Sequence, residues 1–200
     1  MRDIKIRVMQ IKDVNKMVKV HLSSFSGFFL TFLGPAFLHE LYTAIITDSS
    51  GIGHVYEDHN EIQGFVIGTG QPSGFYRRLL HQRWWRFGLA SIKAVLKKPS
   101  IIPRLLRAVR MPQQAAFRSH IGTLMSIAVL PDAQGKGIGQ ALVQKFLQEA
   151  KQRGLTQVNL TTDRLDNDAV NSFYQKLGFS CIRHFVTPEG REMNEYIIDL

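Results

Sequence analysis

The sequence predicts an α/β (α+β) fold built on one mixed sheet, and three observations carry that prediction. The second half reads strand, helix, strand, helix, strand, strand, an order that places helices against a sheet of both parallel and antiparallel neighbours. The first half reads strand, helix, helix, strand, strand. A glycine-rich turn joins a strand to an amphipathic helix at residues 130–139, where such sheets place ligands. Two hundred residues suit one domain, taken here as 1–200, long enough to bury a core without cross-links.

The elements follow in order. Ile4, Ile6 and Val8 alternate with charged residues and read as a strand. Val14, Met17, Val18 and Leu22 have helical spacing. An aromatic loop, Phe25 to Phe29, precedes a helix around Pro35–Ile46, whose proline suits a first turn. His54–Glu57 and Ile62–Gly68 form a hairpin around Asp58-His59-Asn60. Residues 71–118 read as a helical insert. There Leu80, Trp84, Phe87 and Val95 fall on one side of a wheel and Arg83, Arg86, Lys93 and Lys97 on another. Pro103 opens a short helix with Arg104, Arg107 and Arg110 spaced by three. Ile121–Leu130 is a strand, Gly137–Arg153 a helix and Val158–Thr162 a strand. A helix over Asp168–Leu177 stops at Gly178, and strands at Ser180–Val186 and Glu192–Asp199 complete the chain.

Composition narrows the class. At 44% hydrophobic and 20% charged, the chain is a globular protein rather than a disordered one. The single cysteine, Cys181, excludes an internal disulfide and fits a reducing cytoplasm, where it is expected in a strand as a small apolar residue. The charged N-terminal residues argue against a signal peptide, and no apolar run is long enough to span a membrane. The net charge of +9 is local: residues 76–110 hold ten Lys/Arg and no Asp/Glu, while fifteen basic and sixteen acidic residues lie elsewhere. Three readings of that segment stand open. It is a solvated helical pair, a peripheral contact with anionic membrane, or a wall of a ligand site that attracts phosphate. Nucleic acid is not expected, since no binding module accompanies the charge.

The stretch Ile127-Ala-Val-Leu-Pro-Asp-Ala-Gln-Gly-Lys-Gly-Ile-Gly139 is the most informative. Pro131 ends the strand ladder, and Gly135, Gly137 and Gly139 lead into a helix with a buried stripe of Ile138, Ala141, Leu142, Phe146 and Ala150. Glycines let a ligand approach the backbone, and the first-turn amides have no partners within the helix. With the helix dipole they suit a phosphate or pyrophosphate, to which Lys136 adds a cation. The spacing excludes a dinucleotide fingerprint, because Gln140 stands where its third glycine would be. It also excludes a Walker loop, because no Ser or Thr follows a Gly-Lys pair. The alternative is a plain strand-to-helix turn.

Downstream, Asn167, Asn171 and Tyr174 fall on one polar face of a helix, with Ala169, Phe173 and Leu177 toward the core. A tyrosine is protonated at neutral pH and can donate to a departing thiolate, although such a residue is also an ordinary amphipathic wall.

Together these stretches resemble the GNAT acetyltransferase superfamily. Gln134, Gly137 and Gly139 match its Q/R-x-x-G-x-G/A acyl-coenzyme A signature. Asn167 to Phe179 matches its N-x-x-A-x-x-F-Y-x-K-x-G-F signature, with Val170 in place of the alanine. The resemblance covers roughly residues 120–200, and the first half matches only in element order. It implies a sheet splayed at the cofactor site and acetyl-CoA as co-substrate, with no metal. It further implies that backbone groups of Ile127, Ala128 and Val129 pair with the pantetheine arm and that the amides of Gly135 to Gln140, including Lys136, Ile138 and Gly139, hold the pyrophosphate. Asn167 would contact the cofactor arm and Tyr174 would act as the catalytic acid. The reaction implied is direct attack by a small-molecule amine. The insert and the Phe25–Phe29 loop resemble acetyltransferases associated with bacterial surface polysaccharide, which suggests an amino-sugar acceptor. A protein amine, or a silent acyl-CoA-binding module, is the alternative. His120, Ser126, Glu57 and Asp163 are candidate bases, and none is preferred.

Overall fold

The computed structural model describes residues 5–25, 27–97 and 120–200. Their strands form a seven-stranded sheet in the order β1-β2-β3-β4-β5-β7-β6. The strands are β1 Lys5–Val8, β2 Gly51–Asp58, β3 Glu61–Thr69, β4 Ile121–Val129, β5 Gln157–Asp163, β6 Ser180–Val186 and β7 Glu192–Asp199. All neighbours are antiparallel except β4 and β5. The helices are α1 Val14–Ser24, α2 Phe29–Leu33, α3 Pro35–Thr47, α4 Phe75–Lys97, α5 Ile138–Gln152 and α6 Asp168–Lys176.

Local chemistry explains the elements. His59 and Asn60 both have positive φ (49° and 64°), the conformation a tight two-residue hairpin needs between right-twisted strands. Arg7 fixes the sheet edge. It donates to both Asp13 oxygens (2.6 and 2.9 Å) and to Glu57 (2.7 Å), tying β1 to β2 and to the turn before α1. Burial pushes the Asp13 carboxyl up, but the Arg7 hydrogen bonds and the Gln10 amide outweigh it and hold the group below the usual carboxylate range.

Two apolar cores flank the sheet. One, against α1, α3 and α4, is built around Met17, Leu38, Tyr42, Phe65 and Phe75. The other lies under α5, whose Ile138, Leu142, Val143, Phe146 and Ala150 are buried, with Ala141 only half-buried. His54 of β2 places Nε2 3.0 Å from Glu149 of α5, pinning that helix to the sheet.

Four expectations need correction. The Phe25–Phe29 segment continues into a helical turn, α2. Trp84 does not share the buried side of α4 with Phe87 and Val95. Arg83 has non-helical torsions (φ −136°, ψ 23°), so the helix kinks there, and Trp84, the first residue past the kink, is 71% exposed. On α6, Phe173 and Leu177 pack against the core as expected, but Tyr174 is buried beside them against Phe179 and Tyr196, while Ala169 is exposed. Cys181 lies in a strand as expected, but β6 is an outer strand with most of its residues exposed, and so is the thiol. The side chains of Leu80, Lys93 and Lys97, and the helix expected around Arg104, Arg107 and Arg110, lie outside the described residues.

Candidate active site

The site begins where the sheet opens. β4 and β5 pair only over Ile121–Thr123 and Gln157–Asn159. At the last shared rung the Thr123 hydroxyl donates to Asn159 (2.6 Å), and beyond it the strands separate. Met125 is the extra residue where the register with β3 shifts, as it has no partner between Leu124 and Ser126. A bulge of this kind bends the strand and re-aims it.

Pairing alternation decides which backbone groups face the gap. The Leu130 amide donates to the Gln63 carbonyl (2.8 Å), so Leu130 and Ala128 direct their polar groups to β3, and Ile127 and Val129 direct theirs to the gap. Ala128 therefore departs from the expectation. Its backbone faces β3, and its side chain packs into the core on the opposite side of the sheet. The Val129 carbonyl accepts from Ser24 and Gln134 (both 3.1 Å), which leaves its amide and both polar groups of Ile127 for a ligand.

At the end of β4 the chain turns through Pro131–Ala133 into the glycine segment. Gly135 and Gly137 have φ of 74° and 82°, a left-handed conformation that other residues adopt only with strain. Gly137 is the N-cap of α5. The first carbonyl-to-amide bond of the helix runs from the Ala141 amide to Gly137 (3.0 Å), so the amides of Ile138, Gly139 and Gln140 have no intrahelical partner. The ring of Phe173 approaches Gly139, where an added Cβ would lie 3.5 Å away. Lys136 instead sets its ammonium on the Asp132 carbonyl (2.8 Å).

These parts line a cleft of about 780 Å³. The glycine turn forms one wall with Ile127, Val129, Gln134, Gly135, Gly137, Ile138, Gly139 and Gln140, and α6 contributes Asn167, Phe173 and Tyr174. Ala128 and Lys136 are not part of its lining. Both Asn167 amide hydrogens are committed, to Thr162 (2.9 Å) and the Asp163 carbonyl (3.0 Å), so Oδ1 is its open group. Asn171 turns inward. It donates to the Asp163 and Asn167 carbonyls (3.0 and 2.9 Å) and accepts from Asn194 and Tyr196 (2.9 and 3.0 Å), fixing α6 against β5 and β7. Tyr174 is buried, and its hydroxyl has no hydrogen-bond partner among the described residues. Burial pushes that phenol up to about 12, so it holds its proton at neutral pH.

The other end of the cleft is aromatic, lined by Phe25, Phe28, Phe29, Leu30 and His21. His21 is buried on α1, with Nδ1 2.6 Å from the Tyr42 hydroxyl and Nε2 without a partner among the described residues. Burial pushes the ring down to about 4, so it is neutral at physiological pH. No candidate base included this residue. Its signal was a histidine three and four positions after Val18 and Met17 on an apolar helix face. Of the four bases considered, Ser126 and Asp163 reach the cleft. Both Asp163 oxygens accept from Arg191 (2.7 and 2.8 Å), whose guanidinium also lies 5.9 Å from the Phe28 ring. Glu57 is held by Arg7 at the sheet edge.

The parted strands, the left-handed glycines and the free helix amides coincide with a match to the acetyltransferase (GNAT) family model over residues 17–179. The chain belongs to the GNAT family. Among similar proteins, the ribosomal protein bS18-alanine N-acetyltransferase of Escherichia coli is 39% identical over 74 residues, which is 35% of this chain and 49% of that protein. Mycothiol acetyltransferase of Saccharomonospora viridis is 42% identical over 62 residues, 31% of this chain and 20% of that protein. The matches thus span half or less of these relatives' own length. The solved PaiA N-acetyltransferase of Thermoplasma acidophilum, in complex with coenzyme A, shares the GNAT fold. It has a TM-score of 0.59 at 16% identity and covers 96% of this chain and 98% of that one.

Proposed function

We propose that this GNAT chain is an acetyl-CoA-dependent N-acetyltransferase acting on a primary amine of a small molecule, with a nucleotide-linked amino sugar as the acceptor class considered first. One observation carries the reading: a parted parallel strand pair that opens directly onto a helix N-terminus entered through left-handed glycines. The residues present fit coenzyme A. Amides of Ile138, Gly139 and Gln140, with the Gly135–Gly137 backbone, suit a diphosphate, because unpaired amides and the helix dipole favour negative charge there. Ile127 and the Val129 amide offer strand-like pairing to an extended amide-bearing arm, and Asn167 offers Oδ1. When bound, acetyl-CoA supplies a thioester activated for transfer to an amine.

The chain's own contribution is then positional and electrostatic. A backbone donor at Ile127 stabilises charge developing on the thioester oxygen, an interaction worth roughly 3 kcal/mol in comparable sites. Tyr174 presents a protonated hydroxyl toward the departing sulfur. The aromatic end at Phe25, Phe28 and Phe29 offers flat apolar surface to the acceptor and excludes water from the amine.

Calorimetry with coenzyme A, followed by thiol release from acetyl-CoA across an amine panel, tests this reading. Saturable binding and turnover with a small amine are expected. Absence of coenzyme A binding overturns the reading. Turnover only with a peptide amine replaces the acceptor class, and binding without turnover on any amine indicates a silent acyl-CoA-binding module.

A further inference from the structure

Helix α4 carries an apolar ridge that the catalytic reading leaves unused. Trp85, Leu89, Ile92 and Leu96 follow one another at spacings of four, three and four, so they form one line along the helix. All four are exposed, from 46% at Ile92 to 76% at Leu96, and Trp84 stands exposed beside them. The opposite side holds the helix to the protein: Phe87 packs on Phe37 (5.3 Å between ring centroids), Val95 packs on Leu33, and the Ser91 hydroxyl donates to the Phe87 carbonyl (2.8 Å). A continuous apolar line facing outward has no role in that packing.

We propose that this ridge seats the protein on an anionic lipid surface. The charge pattern selects that occupant. Positions 86, 93 and 97 run along one flank of the ridge, and residues 76–110 hold ten Lys/Arg and no Asp/Glu. The Arg86 guanidinium lies 5.0 Å from the Trp85 ring, at the junction of cationic flank and apolar ridge. A second copy docking by two-fold symmetry would bring two such basic segments together, which like charges oppose. Anionic headgroups complement the flank, and tryptophan with aliphatic side chains suits the boundary between headgroups and acyl chains. Contact of this kind is peripheral: among the described residues no helix is long and apolar enough to cross a membrane.

Of the two tryptophans of the chain, Trp85 lies on the ridge and Trp84, its neighbour in sequence, is also exposed, so intrinsic fluorescence reports on this part of the surface. The full-length protein is titrated with phosphatidylglycerol–phosphatidylcholine vesicles and with pure phosphatidylcholine vesicles. Emission should shift to the blue and the protein should sediment with the anionic vesicles, and added salt should weaken both effects. Removing the lysine at position 93 or 97 should weaken binding by roughly fivefold. A Leu89→Glu, Ile92→Glu variant should lose vesicle binding while keeping the parent's affinity for coenzyme A, which shows that it is folded. The proposal is overturned if anionic vesicles produce neither shift nor sedimentation, or if the double variant binds them as tightly as the parent. It is also overturned if the blue shift grows with protein concentration in the absence of lipid, since a second copy would then cover the ridge.

Discussion

Replacing Tyr174 by phenylalanine separates two ways in which that residue could serve acetyl transfer. The hydroxyl has no hydrogen-bond partner among the described residues, while the ring packs on Phe173, Phe179 and Tyr196. Phenylalanine keeps those contacts, so the variant should be as stable as the parent or up to about 1 kcal/mol more stable. The kinetic effect depends on what the hydroxyl does. A phenol pushed up to about 12 is a weaker acid than a thiol near about 8.5, so complete proton transfer to a thiolate is uphill by about 3.5 pK units, or roughly 5 kcal/mol. Donating a hydrogen bond to the developing charge is not uphill, and a bond to a charged group is worth about 1.5–3 kcal/mol. The expected loss in kcat is therefore about ten- to two-hundredfold, with coenzyme A affinity unchanged. Thiol-release kinetics, calorimetry and urea denaturation on parent and variant measure the three quantities. Unchanged kcat would remove Tyr174 from the reaction, and a loss of coenzyme A affinity equal to the loss of kcat would make it a binding residue instead.

Two further perturbations probe the glycine turn and the aromatic end of the cleft. Gly137→Val places a branched side chain at φ 82° with nothing within 4 Å of its Cβ, so the fold should survive with about 1–2 kcal/mol of strain while calorimetry detects no coenzyme A binding. For His21, burial pushes the folded ring down to about 4 against 6.5 for an imidazole in the unfolded chain, so the unfolded chain binds the extra proton between them and stability falls as pH drops through that window. Relative to pH 7 the loss should be about 2 kcal/mol at pH 5 and about 3 kcal/mol at pH 4. The difference in unfolding free energy between the parent and His21→Asn isolates this contribution from those of His54, Asp13 and Glu57, and a difference independent of pH would refute it.

The local features of this fold were legible in the sequence and the cooperative ones were not. Asp58-His59-Asn60 signals a hairpin because the turn's torsions are a property of those residues alone. The glycine run likewise announces a strand ending and a helix beginning with free amides. Periodicity, however, assumes an unbroken helix. At Arg83 that assumption fails, and Trp84 moves from a predicted core side to solvent. On α6, spacing groups Asn167, Asn171 and Tyr174 on one face but cannot say which of them the sheet covers. Asn171 is instead fixed by Asn194 and Tyr196, more than twenty residues away. The placement of β7 between β5 and β6 is a pairing choice among distant strands, and no local signal carries it. His21 was missed for the same reason: it joins the cleft only because α1 packs beside the open end of β4.

Under the proposed function, the aromatic end of the cleft also constrains the amine. Asp163 and Arg191 neutralise each other through two hydrogen-bonded oxygens, His21 is held neutral by burial, and away from the glycine turn and α6 the cleft is otherwise lined by phenylalanine, leucine and methionine with the uncharged Ser126, Thr161 and Thr162. Among the described residues lining the cleft, no carboxylate is left unpaired to attract an ammonium group. A cationic amine entering this end would lose its hydration against rings and find no countercharge, whereas the same amine without its proton would lose far less. Nucleophilic attack requires that neutral form. An apolar wall therefore favours the reactive protonation state of the acceptor by desolvating it, which lessens the demand for a dedicated base and accords with the absence of a free carboxylate along β4. It also disfavours acceptors with several positive charges, for which each further ammonium would add a desolvation cost, and favours those in which the amine is attached to a flat or apolar body able to lie on Phe25, Phe28 and Phe29.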